Sequence, residues 1–240
     1  MPAKRDGEER ARVLLVMGEI LANLVALTLR HGRYETRATT ATREARELVR
    51  TWDPQLAIID VDHHFEFVDL LGRGIAHGEI PLLALTRKRD TAVKLSAFER
   101  GVDDIIEVPF TLDEIIARPF ALMRRAHGIE VDLIPRINLG GLIVDVARQR
   151  AELDGKKLEL SPIQQSLLYV LAANAGKTLS RNELVANIWG EDFGIESNVV
   201  DRHVRELRVK LGDDWRAPKY IETVARQGYR FRALPESRSN

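Results

Sequence analysis

Three polar residues of segment 197–211 have side chains that can read the edges of DNA bases: Asn198, Arg202 and Arg205. In the major groove, arginine pairs with guanine and asparagine with adenine, each through two hydrogen bonds. On a helix that advances about 100° per residue, these three side chains share one face. The opposite face of that helix carries an aliphatic stripe: Val200, Val204, Leu207 and Leu211. This pattern suits a helix in a DNA groove, and its alternative interpretation is an ordinary solvated helix face.

A second cluster follows the apolar run 56–59 and contains Asp60, Asp62, His63 and His64. Carboxylates and imidazoles can bind metal ions, but this cluster has no recognised ligand spacing, and adjacent histidines are typical of a solvated loop. We therefore predict no metal site. The chain also lacks a phosphate-binding loop and a hydrolase motif, so we do not expect an enzyme.

The composition limits the possible classes of protein. The chain has 240 residues, of which 45% are hydrophobic and 30% charged, which is typical of one large or two ordinary globular domains. Its 36 basic and 36 acidic residues give no net charge, so DNA contact must come from a local cluster. It contains no cysteine, which excludes disulfides and thiolate chemistry. The absence of a signal peptide and of a long apolar run predicts a cytoplasmic protein without a membrane partner.

The first half of the chain must hold the Asp60 cluster in an α/β fold. Apolar strands alternate there with amphipathic helices, which predicts a doubly wound parallel sheet with helices on both faces. In such sheets, functional groups gather at the carboxyl ends of the strands. The predicted strands are 13–16, about 34–38, 56–59, 82–85 and 105–106, and the predicted helices include 42–52, 91–100 and 112–125.

The second half must position the groove-reading helix. Capping boxes at Ser161 and Ser180 start two helices, the third helix spans about 197–211, and 220–232 has the pattern of a hairpin. Three helices followed by a hairpin predict a winged helix-turn-helix. The predicted organisation is a disordered tail 1–11, a first domain 12–126, a linker 127–136 and a DNA-binding domain 137–234.

The second domain resembles the effector domain of OmpR/PhoB-type response regulators. The resemblance rests on the segments Leu160-Ser161-Pro162, 179–184, 188–190, 197–201, 207–211, 221–224 and 228–231. It implies binding to double-stranded promoter DNA, with RNA polymerase as a protein partner through loop 190–197. The DNA-binding residues that it implies are Arg181, Trp189, Asn198, Arg202, His203, Arg205, Arg208, Arg226 and Tyr229.

The first domain resembles the receiver domain of the same family, a five-stranded flavodoxin-like fold. Asp60 matches the family's phosphoacceptor and Thr86 matches its hydroxyl residue. The acidic pair that holds Mg²⁺ is replaced by Met17-Gly18, and Val108 stands in place of the lysine that pairs with the phosphoryl group. Without these charges the phosphorylated state loses its main stabilisation, so we expect no Mg²⁺ cofactor and no use of Asp60 and Thr86 in signalling.

A third set of charged residues matches the surface through which receivers of this family pair. By this resemblance, Lys94 of one subunit would meet Glu114 of the other, and Asp104 would meet Arg118. Such an arrangement is self-complementary about a two-fold axis. The alternative is plain surface charge, which contributes little.

The function indicated by the sequence is therefore a sequence-specific transcription regulator with a degenerate receiver. It would act without phosphorylation, dimerise through the receiver and bind tandem half-sites. Two alternatives stay open: a conventional two-component regulator with a cognate histidine kinase, and a regulator whose altered pocket senses a ligand or a protein.

Overall fold

The computed structural model describes most of both predicted domains. The predicted tail 1–11, linker 127–136 and loop 190–197 lie wholly or largely outside the described residues. The described residues are 10–30, 34–71, 80–108, 110, 112–128, 136–139, 142–145, 150–153, 155–189 and 198–232.

A five-stranded parallel sheet forms the centre of the first domain. Its strand order is β2-β1-β3-β4-β5, with all neighbouring strands parallel. The strands are β1 (Ala11–Val16), β2 (Tyr34–Thr39), β3 (Leu56–Asp60), β4 (Leu82–Thr86) and β5 (Asp104–Glu107). Both β3 and β4 are buried along their whole length, as expected for a parallel sheet covered on both faces.

Helices cover the two faces of this sheet. The helices are α1 (Glu19–Arg30), α2 (Thr42–Trp52), α3 (Glu66–Asp69), α4 (Thr91–Glu99) and α5 (Leu112–His127). Because side chains alternate along a strand, Leu15 packs in one apolar cluster with α1 and α5, while Leu14 packs in the other with α2. The predicted doubly wound fold is confirmed. The sequence pattern did not predict the short helix α3.

The second domain is a winged helix-turn-helix preceded by an antiparallel sheet. The sheet contains β6 (Arg136–Leu139), β7 (Leu142–Asp145), β8 (Arg150–Leu153) and β9 (Lys156–Leu158), in that order. The remaining elements are α6 (Pro162–Ala173), β10 (Thr178–Leu179), α7 (Arg181–Ile188), α8 (Asn198–Leu211), β11 (Ile221–Val224) and β12 (Gly228–Phe231). Strands β11 and β12 form the wing, and β10 completes a sheet of order β10-β12-β11.

Local sequence signals fix the start of α6 and α7. Ser161 accepts a hydrogen bond from the Gln164 amide while the Gln164 side chain accepts one from the Ser161 amide, and Ser180 and Glu183 form the same reciprocal pair. These bonds satisfy amides that have no partner within the helix, so both predicted capping boxes are confirmed. At the wing, a Cβ added to Gly228 would lie 2.0 Å from the Leu179 carbonyl oxygen, so only glycine allows β12 to approach β10.

The two domains pack against each other through α1 and α6. Leu21 and Leu24 of α1 line one small cavity together with Tyr169 and Val170 of α6. At the edge of this contact, the Asn23 amide donates to Asn174 Oδ1 over 2.9 Å. One apolar cluster therefore continues from the first domain into the second.

Candidate DNA-binding face and acceptor pocket

Helix α8 presents the predicted groove-reading face to solvent. Asn198, Arg202 and Arg205 are exposed. The aliphatic stripe of the same helix is almost fully buried: Val200, Val204, Leu207 and Leu211. The predicted amphipathic helix is thus confirmed. A face with two guanidinium groups and one amide has the hydrogen-bonding capacity to read base edges.

A network of side chains fixes α8 against α7 and the wing. Arg181 Nε donates to Asp201 Oδ1 over 2.7 Å, and the Tyr229 hydroxyl donates to the same oxygen over 2.7 Å. The guanidinium group of Arg181 also lies 5.0 Å from the centre of the Tyr229 ring. These contacts connect the first turn of the recognition helix with the start of α7 and with β12.

The pKa values of these groups reflect the network. Burial raises the pKa of Tyr229 to about 12, and its hydrogen bond to Asp201 acts in the same direction. Burial alone would raise the pKa of Asp201, but hydrogen bonds from Arg181 and Tyr229 outweigh it and hold that pKa below its usual value. The hydrogen bond to Asp201 raises the pKa of Arg181. The ionised Asp201 and the neutral Tyr229 are therefore the stable forms near neutral pH.

Arg208, also predicted to contact DNA, anchors α8 to the wing. Its Nη2 donates to the Ile221 carbonyl oxygen over 2.7 Å and to Thr223 Oγ1 over 2.8 Å. Its guanidinium group is thus engaged with β11. Arg181, Arg208 and Tyr229 all have positioning roles inside the domain that the sequence did not reveal, while their contact with DNA stays a prediction.

Trp189 and His203 form a stacked pair between the end of α7 and α8. Their ring centres are 5.9 Å apart and the planes differ by 25°. Trp189 is half-buried, and the His203 side chain is only 12% exposed, which limits their reach towards DNA. Arg226 is exposed in the wing turn, so its side chain is accessible for the predicted minor-groove contact. Its backbone has a φ of 60°, in the left-handed region.

The carboxyl ends of β3 and β4 form the acceptor pocket, where Asp60 and Thr86 lie as predicted. Both are buried. Asp62 also faces this pocket, because its carboxylate accepts hydrogen bonds from Thr86 Oγ1 and from the Arg87 amide, each over 2.7 Å. The hydroxyl that the family uses to report phosphorylation is therefore already bound by a neighbouring carboxylate.

Arg87 is the residue that sequence reasoning missed. Its Nη1 lies 2.9 and 3.0 Å from the two carboxylate oxygens of Asp60 and 3.4 Å from Asp62 Oδ2. All three side chains are at most 7% exposed. A basic residue directly after the hydroxyl position of β4 was the available signal. The guanidinium group of Arg87 is therefore the positive charge that pairs with Asp60 and Asp62 in this pocket.

The positions of the missing family ligands are apolar in the structure. Met17 and Val108 are buried, and Gly18 has no side chain. No group of three or more potential metal ligands occurs in the part of the chain that the structure describes. Asp60 and Asp62 share one guanidinium group, and this donor set does not fit a hard divalent cation, which needs several free oxygen ligands.

The predicted pairing surface carries ion pairs within one chain. Arg118 Nη1 lies 2.8 Å from Asp104 Oδ2, and Arg118 Nη2 lies 3.5 Å from Glu114. Lys94 pairs with Glu107 of the same chain. Each of these charged groups is partly exposed and therefore accessible to a second subunit. Contact with that subunit stays a prediction. It would have to compete with the ion pairs inside the chain.

The receiver-like sheet joined to a winged helix with an exposed basic face defines a DNA-binding transcription regulator of the response-regulator class. Residues 155–231 match the family described as "Transcriptional regulatory protein, C terminal". The chain is 30% identical over 224 residues to the phosphate regulon transcriptional regulatory protein PhoB of Pseudomonas aeruginosa, covering 91% of this chain and 96% of that protein. The chain belongs to the OmpR/PhoB family of response regulators.

Two further similarities are found, one to a curated relative and one to a solved structure. The transcriptional regulatory protein KdpE of Mycobacterium tuberculosis is 32% identical over 181 residues, covering 75% of this chain and 80% of that protein. The solved structure of response regulator DrrB from Thermotoga maritima is 23% identical, with a TM-score of 0.43 and coverage of 93% and 100%. Within the described segments, no helix is both long and apolar enough to cross a bilayer.

Proposed function

We propose that this regulator binds promoter DNA without phosphorylation of its receiver. The observation that carries the proposal is the bond between Arg87 Nη1 and both carboxylate oxygens of Asp60, at 2.9 and 3.0 Å. An acceptor carboxylate must free one oxygen to attack phosphorus. In this pocket the attacking oxygen would have to give up its hydrogen bond to Arg87, and a hydrogen bond to a charged group contributes about 1.5–3 kcal/mol.

The described residues at the family's ligand positions around Asp60 also do not supply what phosphoryl transfer requires. Mg²⁺ neutralises the charge that develops during transfer, and the buried Met17 and Val108 supply neither its ligands nor the usual lysine. We therefore propose that no metal cofactor and no cognate kinase take part. The protein would have no catalytic activity of its own.

The packing of the two domains supports binding to DNA in this state. The receiver contacts the DNA-binding domain through α1, α6 and Ala186 of α7. The reading face of α8 stays exposed in this arrangement, with Arg202 and Arg205 in solvent. The domains would therefore not need to separate before the recognition helix enters the major groove.

Pairing through the receiver would set the arrangement of the two recognition helices. Leu95 and Phe98 of α4 are 57% and 46% exposed, next to the charged pairing surface defined by Lys94, Asp104, Glu114 and Arg118. We propose a homodimer through this surface, which would bind tandem half-sites about 10–10.5 base pairs apart. RNA polymerase is the proposed protein partner. The proposed location is the cytoplasm, because the chromosome lies there.

The test is selection of genomic fragments by the untreated full-length protein at physiological salt, followed by sequencing. We expect enrichment of tandem repeats about one helical turn apart. Asp60→Asn, which keeps the shape of the side chain and leaves Asp62 to pair with Arg87, should select the same sequences with equal affinity. Arg205→Ala, on the reading face, should lose the enrichment.

Two outcomes would overturn the proposal. The first is stable transfer of a phosphoryl group from acetyl phosphate to wild-type protein but not to Asp60→Asn, accompanied by tighter DNA binding. The second is a failure of the untreated protein to enrich any sequence under conditions where the phosphoryl donor restores enrichment. Either result would favour the conventional two-component regulator.

A further inference from the structure

Arg87 connects the acceptor pocket with the DNA-binding domain. While its Nη1 binds Asp60, its Nε donates a hydrogen bond to the carbonyl oxygen of Ala186 in α7 over 2.8 Å. Residues 87 and 186 belong to different domains. A single buried guanidinium group thus contacts both the receiver carboxylates and the backbone of the helix-turn-helix.

The carbonyl oxygen of Ala186 is well suited to receive this bond. Helix α7 ends at Ile188, and the last four carbonyl groups of a helix have no partner within that helix. The same end of a helix carries a partial negative charge, so a cationic donor is favourable there. Arg87 donates to one of these carbonyl oxygens from a group with a full positive charge.

Other contacts between the same two domains are made by residues of α1. Asn174 accepts from Asn23 over 2.9 Å and donates to the carbonyl oxygen of Ile20 over 3.2 Å. Lys177 Nζ lies 2.7 Å from Glu19 Oε2, but both side chains are well exposed and their pair contributes little. Arg87, by contrast, is a charged contact of this interface whose side chain is only 6% exposed.

We propose that Arg87 is a positioning residue, which sets the orientation of α7, and with it the recognition helix, relative to the receiver. The acceptor pocket of this protein would then act as a fixed joint between domains. The inference concerns how the receiver dimer presents its two recognition helices to DNA, and in that respect it rests on the proposed function. The joint itself exists within one chain and can be tested without DNA.

The planar fork of arginine explains why this residue type is needed. Nη1 and Nε point in different directions and therefore bind Asp60 and Ala186 at the same time. Lysine carries one compact charge and cannot reproduce both contacts from a single position. Arg87→Lys keeps a positive charge beside the two buried carboxylates while it removes the bond to α7, and it is the preferred test variant.

The first readout is the distribution of distances between the domains. Because the chain has no cysteine, two labels can be attached at Arg46→Cys in α2 and Arg216→Cys after α8, both exposed positions. Single-molecule energy transfer should give one narrow distribution with Arg87 present. Arg87→Lys should broaden it, whereas Lys177→Ala, the matched control at the exposed edge, should leave it narrow. An unchanged narrow distribution for a folded Arg87→Lys would overturn the proposal.

The second readout is the dependence of DNA binding on half-site spacing. Insertion of about five base pairs, half a helical turn, between the two half-sites should weaken wild-type binding about tenfold or more. A rigid dimer then cannot engage both half-sites at once. The Arg87→Lys dimer should lose much less. Equal sensitivity of the two proteins would overturn the positioning role, whereas lack of wild-type binding to the tandem site would count against the proposed function alone.

A second variant separates the loss of the bond to Ala186 from misfolding caused by an unpaired buried charge. Asp60→Asn, Asp62→Asn and Arg87→Met together remove all three buried charges, so no charge is left unpaired in the pocket. This triple variant also lacks the bond to Ala186. It should show the same broad distance distribution and the same tolerance of spacing as Arg87→Lys, and a narrow distribution would contradict the proposal.

Discussion

The hydroxyl of Tyr229 donates a hydrogen bond to Asp201 Oδ1 over 2.7 Å and so joins the wing to the recognition helix. Tyr229 is only 4% exposed, and Asp201 lies in the first turn of α8. Arg181, at the start of α7, binds the same carboxylate. One partly exposed carboxylate thus connects three parts of the DNA-binding domain.

Tyr229→Phe should destabilise the protein and weaken its binding to DNA. The substitution removes only the hydroxyl, and a hydrogen bond to a charged group contributes about 1.5–3 kcal/mol to stability. Chemical denaturation measures the loss. Tyr34→Phe is a matched control, because the buried Tyr34 hydroxyl has no hydrogen-bond partner among the described residues. A loss for Tyr34→Phe as large as that for Tyr229→Phe would contradict this role of Asp201.

The raised pKa of Tyr229 predicts a loss of stability in alkali. Burial favours the neutral phenol, so the folded pKa of about 12 lies above the usual value of 10.0. The contribution to stability is fully present below pH 10 and is lost as pH rises from 10 through about 12. Wild-type protein should lose more unfolding free energy over this range than Tyr229→Phe. Parallel curves for the two proteins would refute the prediction.

Dimerisation through the receiver should depend more on apolar contacts than on the ion pairs. Arg118 already pairs with Asp104 in its own chain, with side chains 38% and 31% exposed, so Arg118→Ala should weaken the dimer only a few-fold. Phe98→Ser, which removes an exposed ring of α4, should weaken it more. Light scattering over a range of concentrations measures both effects.

The control for dimerisation is Trp215→Ala, which removes a 61% exposed side chain from the other domain. It should leave the dissociation constant of the dimer unchanged. If Arg118→Ala and Phe98→Ser both retained the wild-type mass at every concentration, the pairing surface would lie elsewhere on the molecule.

Local signals explain how much of the structure the sequence could predict. The capping residues Ser161 and Ser180 act within one helical turn, and the buried stripe of α8 repeats along a single helix. Both kinds of pattern can be recognised without knowledge of the rest of the fold. Alternation along the chain predicted the strands and the longer helices of the first domain in the same way, but not the short helix α3.

The roles of Arg87 and Arg208 depend on contacts that no local pattern contains. Arg87 meets Asp60 because β3 and β4 are neighbours in the sheet, and it meets Ala186 because two domains pack together. Arg208 lies in the helix predicted to contact DNA, and its bond to the Ile221 carbonyl oxygen arises because β11 packs beside α8. Long-range packing decides which partner an arginine takes, and sequence spacing could not reveal it.

Val209 extends the reading face of α8 with an apolar side chain. It is 78% exposed, follows Arg205 by one turn, and lines with Arg205 and Trp215 a cleft of about 490 Å³. In the major groove, an apolar side chain recognises the methyl group of thymine. We therefore expect Val209 to distinguish thymine at one position of each half-site.

Replacement of single thymines by deoxyuridine tests this expectation, because it removes only that methyl group. At one position of the selected site, wild-type affinity should fall about threefold to fourfold, which corresponds to one buried methyl group of about 0.8 kcal/mol. Val209→Ala should bind the thymine and deoxyuridine sites equally well, since its side chain no longer reaches the methyl group. Deoxyuridine at the other positions is the internal control. If Val209→Ala kept the full wild-type preference for thymine, another residue would be responsible for it.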